Sequence, residues 1–295
     1  MPRLLDPSVL AAISGLDLIA RTVVDGFIAG LHRSASFGFS QEFAEYRAYA
    51  PGDDLRHVDW NVYARSGRAY LKRYEGETNS PLTLLLDASS SMRFTSHALD
   101  KMDYARYVAA ALCYLAVRRQ RDATGLIVFD DEVRDSIRPS TRPGQLPRLL
   151  AALERAMPRA RTRFEAPLEH LTGLLHRRGI IVLLSDFFEL PSNILRAVEP
   201  LRARGSEVVL FHVLDPGELR PELGTAALLV DLETQARIEV SGEYATCEYR
   251  RRIETHIAAL RSAAHGAGLS YHLLVTDQPL DAALREYLTV RQGRE

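Results

Sequence analysis

Lysine is nearly absent: only Lys72 and Lys101 occur, so 35 of the 37 basic side chains are arginine. We read that bias as genome composition rather than chemistry. Cysteine is equally scarce. Cys113 and Cys247 are too few for a disulfide framework or a zinc cluster, and the usage suits a reducing compartment. Cys113 lies in an apolar stretch and reads as a small buried hydrophobe. Charge of one sign is lacking too. The 37 bases against 38 acids leave a net charge of −1, which excludes a global field drawing the chain to nucleic acid or an anionic membrane. Long apolar runs are missing. The longest, Tyr107 to Val117, is closed by Arg106 and Arg118, well short of the roughly 18 residues a membrane span needs. The apolar stretch Val9 to Ala20 is interrupted by Asp17, and no small-residue cleavage site follows it. The expectation is a cytoplasmic protein without a membrane span. Enzyme signatures are wanting as well: there is no G-x-S-x-G, H-E-x-x-H, Walker A or G-x-G-x-x-G string. The nine histidines include no i, i+4 pair, so catalytic residues are expected to be none.

What is present is ordinary globular composition over 295 residues, 46% hydrophobic and 25% charged, enough for two domains or one domain with an appendage. Residues 6–31 carry helical spacing, with Asp6 as cap, Pro7 at the first helical position and a break near Gly15. Residues 33–80 change character, with Pro51-Gly52-Asp53-Asp54 as a turn among many aromatics and a weakly alternating strand from Ala69 to Tyr74. From residue 82 strands and helices alternate. Leu82 to Leu86, Gly125 to Phe129 and Ile180 to Leu184 are continuous apolar runs, as parallel strands buried on both faces require. Val133 to Arg138 is more polar and suits an edge. Helices are expected over 98–118, 146–157, 164–176, 194–204, 247–267 and 280–289. Further strands are expected over 207–213 and 271–275, with a hairpin from 226–231 and 236–240. The pattern predicts an α/β fold, a doubly wound mostly parallel sheet over 81–295 with an insertion near 216–246. A small N-terminal helical and extended module precedes it over 1–80.

The string Asp87-Ala88-Ser89-Ser90-Ser91 follows the first buried strand directly, which puts it at a carboxyl end, where open α/β sheets hold ligands. One carboxylate and two hydroxyls from one loop suit a hard cation such as Mg²⁺. Ser185-Asp186 ends another buried strand. If the two strands adjoin, Asp87 and Asp186 face each other, and carboxylates ~5 Å apart repel by about 3 kcal/mol at an effective dielectric of ~20. A divalent cation would remove that cost. Thr162, in the loop before Phe164, could add a hydroxyl. The plainer reading is that Asp87 and its serines cap the next helix.

Asp87-x-Ser89-x-Ser91, then Thr162, then Asp186, resembles the metal-ion-dependent adhesion site of von Willebrand factor A domains. That resemblance implies that Asp87, Ser89, Ser91, Thr162 and Asp186 surround Mg²⁺, directly or through water, and that a partner's carboxylate completes the coordination. A narrower resemblance covers nearly the whole chain. It rests on Glu42-Phe43, Tyr46-Arg47-Ala48-Tyr49, Pro51-Gly52-Asp53-Asp54-x-Arg56, Asp59-Trp60, Ala64-Arg65, Lys72-x-Tyr74-Glu75, Asp87-Ala88-Ser89-Ser90-Ser91-Met92, Lys101-x-x-Tyr104-Ala105, Gly125-Leu126-Ile127-x-Phe129 and Ser185-Asp186-Phe187. This order is similar to the bacterial "domain of unknown function 58" family, which carries a von Willebrand factor A-like domain. The resemblance implies a MoxR-type AAA+ ATPase as partner, in chaperone-like assembly or metal-cofactor insertion. Two departures are visible. Thr162 lacks the glycine that usually precedes it, and the N-terminal membrane helices of some members have no counterpart here.

The expectation is therefore a non-enzymatic, Mg²⁺-dependent protein-interaction module. Its rivals are a metal-dependent phosphohydrolase using Asp87 as nucleophile and a structural scaffold with a vacant site. Asp53, Asp54 and Asp59, alternating with Arg47, Arg56 and Arg65, suit a salt-bridge network pinning the small module, or a docking surface for the ATPase. Arg250-Arg251-Arg252 reads as a solvated helix face rather than a nucleic-acid patch.

Overall fold

The computed structural model describes residues 6–33, 45–48, 62–63, 70–73, 81–174, 178–221 and 226–292. The chain divides into two compact units, Ile28–Asn79 on one hand, and Met1–Phe27 with Ser80–Glu295 on the other.

In the smaller unit, β1 (Glu45–Ala48) pairs antiparallel with β2 (Tyr70–Arg73), Glu45 opposite Arg73 and Tyr46 opposite Lys72. The alternation over 69–74 marked the second strand, but the four residues of its partner carry no pattern of their own. The Pro51 turn, most of the aromatic set and most of the Asp/Arg alternation lie outside the described residues.

The larger unit begins with α1 (Pro7–Leu10). Asp6 caps it by accepting from the Ser8 amide at 3.0 Å, and Pro7 takes the first turn, where its missing N–H costs nothing. Gly15 at φ +92° then breaks the helix, because a left-handed residue cannot continue it. The next helix, α2 (Leu16–Arg33), belongs to this unit as far as Phe27 and buries Leu16, Ile19, Ala20, Val23, Val24 and Phe27 at threes and fours.

Beyond these come β3 (Leu82–Asp87), α3 (Lys101–Tyr114), β4 (Thr124–Phe129), β5 (Val133–Ser140), α4 (Gln145–Arg155), α5 (Glu165–Leu174), β6 (Ile180–Ser185), α6 (Pro191–Ala203) and β7 (Glu207–Leu214). A short α7 (Pro216–Leu219), a β8–β9 hairpin (Ala226–Val230, Arg237–Ser241), α8 (Gly242–Gly266), β10 (Ser270–Val275) and α9 (Asp281–Gln292) complete it. Six strands form one sheet in the order β10-β7-β6-β3-β4-β5, parallel throughout except for β5, which runs antiparallel to β4 at the edge. Every residue of β3, β4 and β6 is buried, which is why they read as unbroken apolar runs, whereas β5 is half exposed and reads as mixed. Helices α3, α4 and α9 cover one face. Helices α5, α6 and α8 cover the other, over a core that includes Leu85, Ile127, Phe129, Leu183, Ile194, Val198, Leu210 and Leu260. The fold is a doubly wound α/β sheet.

The winding decides where a site can lie. From β3 the chain proceeds outward through β4 and β5. It then returns to the other side of β3 and proceeds outward through β6, β7 and β10. The direction reverses between β3 and β6, so the helices that follow these two strands part company and leave a crevice at the carboxyl ends. Asp87 and Ser185 are the last residues of those strands.

Candidate metal centre

Leu86 stands opposite Leu184, which brings the end of β3 level with the end of β6. The Asp87 carboxylate is wholly buried there and gathers three donors. The Ser89 amide donates to Oδ1 at 2.8 Å, the Ser185 hydroxyl to Oδ2 at 2.5 Å and the Thr162 hydroxyl to Oδ2 at 3.2 Å. The Ser89 and Ser91 hydroxyls lie 3.0 Å apart and are buried. The loops are sewn together by backbone: the Ser90 amide donates to the Ala160 carbonyl at 2.9 Å, and the Arg159 amide to the Ala88 carbonyl at 2.7 Å. That ladder is why Thr162 arrives beside Asp87 from 75 residues away. Ala160 at φ +46° and Phe187 at φ +48° hold left-handed conformations that cost a residue with a Cβ of order 1 kcal/mol or more. Both flank the crevice.

Capping does not account for the serines. Ser89 precedes a 3₁₀ turn over Ser90–Arg93 but makes no side-chain cap bond, and α3 is capped instead by Asp100, which accepts from the Asp103 amide at 2.7 Å. The first α-helical residue after the loop is thus Lys101, three positions later than its apolar pattern suggests.

Lys101 is the residue that sequence reasoning missed. Its ammonium is wholly buried and donates to Asp186 Oδ2 at 2.8 Å and to Glu218 Oε1 at 2.6 Å. Burial alone would lower the Lys101 pKa, but the two carboxylates outweigh it and hold the group above its usual range. The Phe188 ring lies 4.9 Å from the ammonium. Glu218 is placed by the capping box of α7, in which its other oxygen accepts from the Asp215 amide at 2.9 Å. Its rarity and its place in the string Lys101-x-x-Tyr104-Ala105 marked Lys101 in the sequence, but neither pointed to Asp186 or Glu218 as its partners.

Asp186 does lie beside Asp87, but one oxygen is taken by Lys101, while Oδ1 is buried with no hydrogen-bond partner among the described residues. Beneath the crevice Phe164 stacks on Phe187 at 5.6 Å, and Phe187 meets the edge of His212. His212 bonds the Tyr271 hydroxyl through Nδ1 at 2.7 Å, and burial depresses its pKa to about 3, so the ring is neutral.

A further carboxylate arrives from the β8–β9 hairpin. Glu233 Oε1 lies 3.1 Å from the Thr162 hydroxyl, whose single proton it shares with Asp87, and accepts from the Thr162 amide at 3.4 Å. Burial and the nearby Asp186 raise its pKa, against hydrogen bonds from Thr162 and Ser91. Burial, and then the Asp186 charge, push Asp87 up to about 7 despite the donors from Ser185 and Ser89. Asp87, Asp186, Glu218 and Glu233 thus share one neighbourhood with, among the described residues, a single buried ammonium, Lys101.

Among the described residues no three acidic, histidine or cysteine side chains stand close enough to hold a metal by themselves. The donors that converge are mainly hydroxyls around one carboxylate: Asp87, Ser89, Ser91 and Thr162. This set of hard oxygens, the unpartnered Asp186 Oδ1 and the excess of carboxylates fit a divalent cation, which would satisfy the orphaned oxygen and offset the charge.

The fold and crevice define a class: a doubly wound α/β protein with an acid- and hydroxyl-lined crevice at its topological switch point. The chain matches the family described as "Protein of unknown function DUF58" over residues 45–263, and it belongs to that family. It is 28% identical, over 97% of its own length and 91% of theirs, to proteins of Mycobacterium tuberculosis and Mycobacterium bovis that are described as uncharacterised. Among solved structures it is similar to the conserved hypothetical protein BatB from Bacteroides thetaiotaomicron, at 14% identity and a TM-score of 0.49, covering 73% of this chain and 100% of that one. An aerotolerance-related membrane protein from Bacteroides fragilis gives 13% and 0.48 over 72% and 99%. The SpRpn10 VWA domain gives 12% and 0.42 over 70% and 93%. No described helix is long and apolar enough to cross a membrane.

Proposed function

We propose that this chain is a non-enzymatic protein-interaction module whose strand-end crevice takes a divalent cation and, through it, a carboxylate from a partner protein. The observation that carries this reading is the convergence of Asp87, Ser89, Ser91 and Thr162 at the switch point, beside a buried Asp186 oxygen that has no partner among the described residues. Asp87 would be the charged ligand. Ser89, Ser91 and Thr162 would be neutral ones, and Asp186 would act directly or through water. A bound Mg²⁺ would supply an electrophilic position open to an outside carboxylate, since it tends to keep waters that such a carboxylate can replace. Lys101 and Glu218 hold Asp186 in place.

Several observations speak for binding rather than turnover. Asp87 is wrapped by the Ser89 amide and the Ser185 and Thr162 hydroxyls, which leaves it poorly placed as a nucleophile. Aspartyl-phosphate chemistry also wants a second acid two residues on, where Ser89 stands. The partner we propose is a MoxR-type AAA+ ATPase, with chaperone-like assembly as the shared task; that choice follows the family resemblance. The test is co-purification of the chain with such an ATPase in Mg²⁺ and in chelator. Retention in Mg²⁺ and loss in chelator is the expected result. Equal retention in both would remove the metal from the interaction, and no retention in either would remove the partner. A phosphoester turnover abolished by Asp87→Asn would favour the phosphohydrolase instead.

A further inference from the structure

The β8–β9 hairpin ends in a rigid tip. Asp231 Oδ1 accepts from the Glu233 amide at 2.8 Å and from the Thr234 amide at 3.1 Å, and its Oδ2 accepts from the Thr234 hydroxyl at 2.6 Å. Gln235 at φ +60° closes the turn with its amide on the Asp231 carbonyl at 2.8 Å. This geometry fixes the direction of Glu233, and the side chain runs to Thr162, the hydroxyl that also donates to Asp87. The rest of the hairpin is weakly held. Leu228 is 52% exposed and Ile238 61%, so lifting the strands would uncover little core.

We infer, resting on the metal-dependent reading above, that Glu233 is an internal carboxylate ligand of this crevice, placed where a partner's carboxylate would otherwise enter. Three features argue for it. Glu233 reaches the site through Thr162, and Thr162 would itself lie against the cation. The buried Asp186 Oδ1 has no donor among the described residues, so the crevice is short of positive charge, a shortage that a further carboxylate alone would only worsen. A half-buried acid held among other acids is stable there when a cation is shared among them. The consequence is competition. Outside carboxylates bind only as Glu233 withdraws, and the hairpin sets how readily the site opens.

The test is a calorimetric titration with Mn²⁺ of the full chain, its Glu233→Gln variant and its Asp87→Asn variant, alongside hydrogen exchange of residues 228–238 with and without Mg²⁺. Glutamine keeps the size of the side chain and can still accept from Thr162, so the fold is retained. The expected result is tight binding by the wild type, affinity weaker by roughly tenfold or more in Glu233→Gln, and no binding in Asp87→Asn. Exchange at the hairpin tip should slow in Mg²⁺ in the wild type and not in Glu233→Gln. Equal Mn²⁺ affinity in wild type and Glu233→Gln would overturn the inference and leave the metal site standing. No Mn²⁺ binding by the wild type would overturn both.

Discussion

The Lys101 ammonium lies 2.8 Å from Asp186 Oδ2, and both side chains are shut off from solvent. A buried pair of this kind adds little to stability beyond what an apolar pair would give, but removing one partner strands the other in a poor solvent. Here two carboxylates depend on one ammonium. Lys101 therefore fixes Asp186 in position, whatever else the crevice binds.

Replacing Lys101 with methionine leaves Asp186 and Glu218 buried without their cation. The expected loss is about 3–5 kcal/mol, read as a lower urea midpoint at unchanged slope. A second change, Glu218→Gln, should recover part of it, because one stranded charge is then gone. A Lys101→Met variant as stable as the wild type would mean that these groups are solvated.

His212 sets an acid limb. Its pKa is about 3 in the folded chain against 6.5 for the free side chain, so below about pH 6.5 the unfolded state binds a proton that the folded state does not. Its contribution is complete above pH 6.5 and lost as pH falls towards 3, at roughly 1.4 kcal/mol per pH unit. Asp87 and Glu218, raised to about 7, act oppositely: they bind protons in the folded state first and reduce stability as pH rises from about 4 to 7. A difference curve between wild type and His212→Gln isolates the histidine. Parallel curves from pH 4 to 7 would contradict the assignment.

Replacing Ser89 and Ser91 together with alanine removes two hydroxyls while leaving β3 intact. Because neither serine caps a helix through its side chain, the fold should survive with a loss of about 1 kcal/mol or less. Binding to the proposed ATPase partner, measured by co-purification, should fall sharply. Chelator should weaken the wild type equally and add nothing to the double variant, since both remove one shared interaction. A folded double variant that still binds at wild-type strength would move the docking point elsewhere.

Much of this was legible in the residues. The runs 82–86 and 180–184 announced buried strands because residues covered on both faces have no polar side to show. The edge position of the strand expected over Val133 to Arg138 was visible in its polar character, and the strand runs on to Ser140. Helix ends were less so: α3 was expected from Ala98, but Asp100 captures the first free amides and starts it later. Asp87, Ser89, Ser91 and Thr162 could be found from a strand end and a motif. Glu218 and Glu233 could not, and Lys101 stood out only in a family-matching string that says nothing of its partners. Lys101 meets Asp186 from 85 residues away and Glu218 from 117, and Glu233 reaches Thr162 across 71. No local spacing records such pairings; they exist only once the sheet has brought β3, β6 and the hairpin together.

The central claim is that the crevice at the ends of β3 and β6 takes a divalent cation. The most direct test is the melting of the full chain in MgCl₂ and in NaCl at matched ionic strength, with calorimetric titration of Mg²⁺ at a fixed temperature. At a hundredfold excess over its dissociation constant a ligand stabilises the fold by about 2.7 kcal/mol, which raises the melting temperature by several degrees. The account predicts that rise in MgCl₂, a saturable heat of binding, and the loss of both in Asp87→Asn. Equal melting temperatures in the two salts with a flat titration would contradict it.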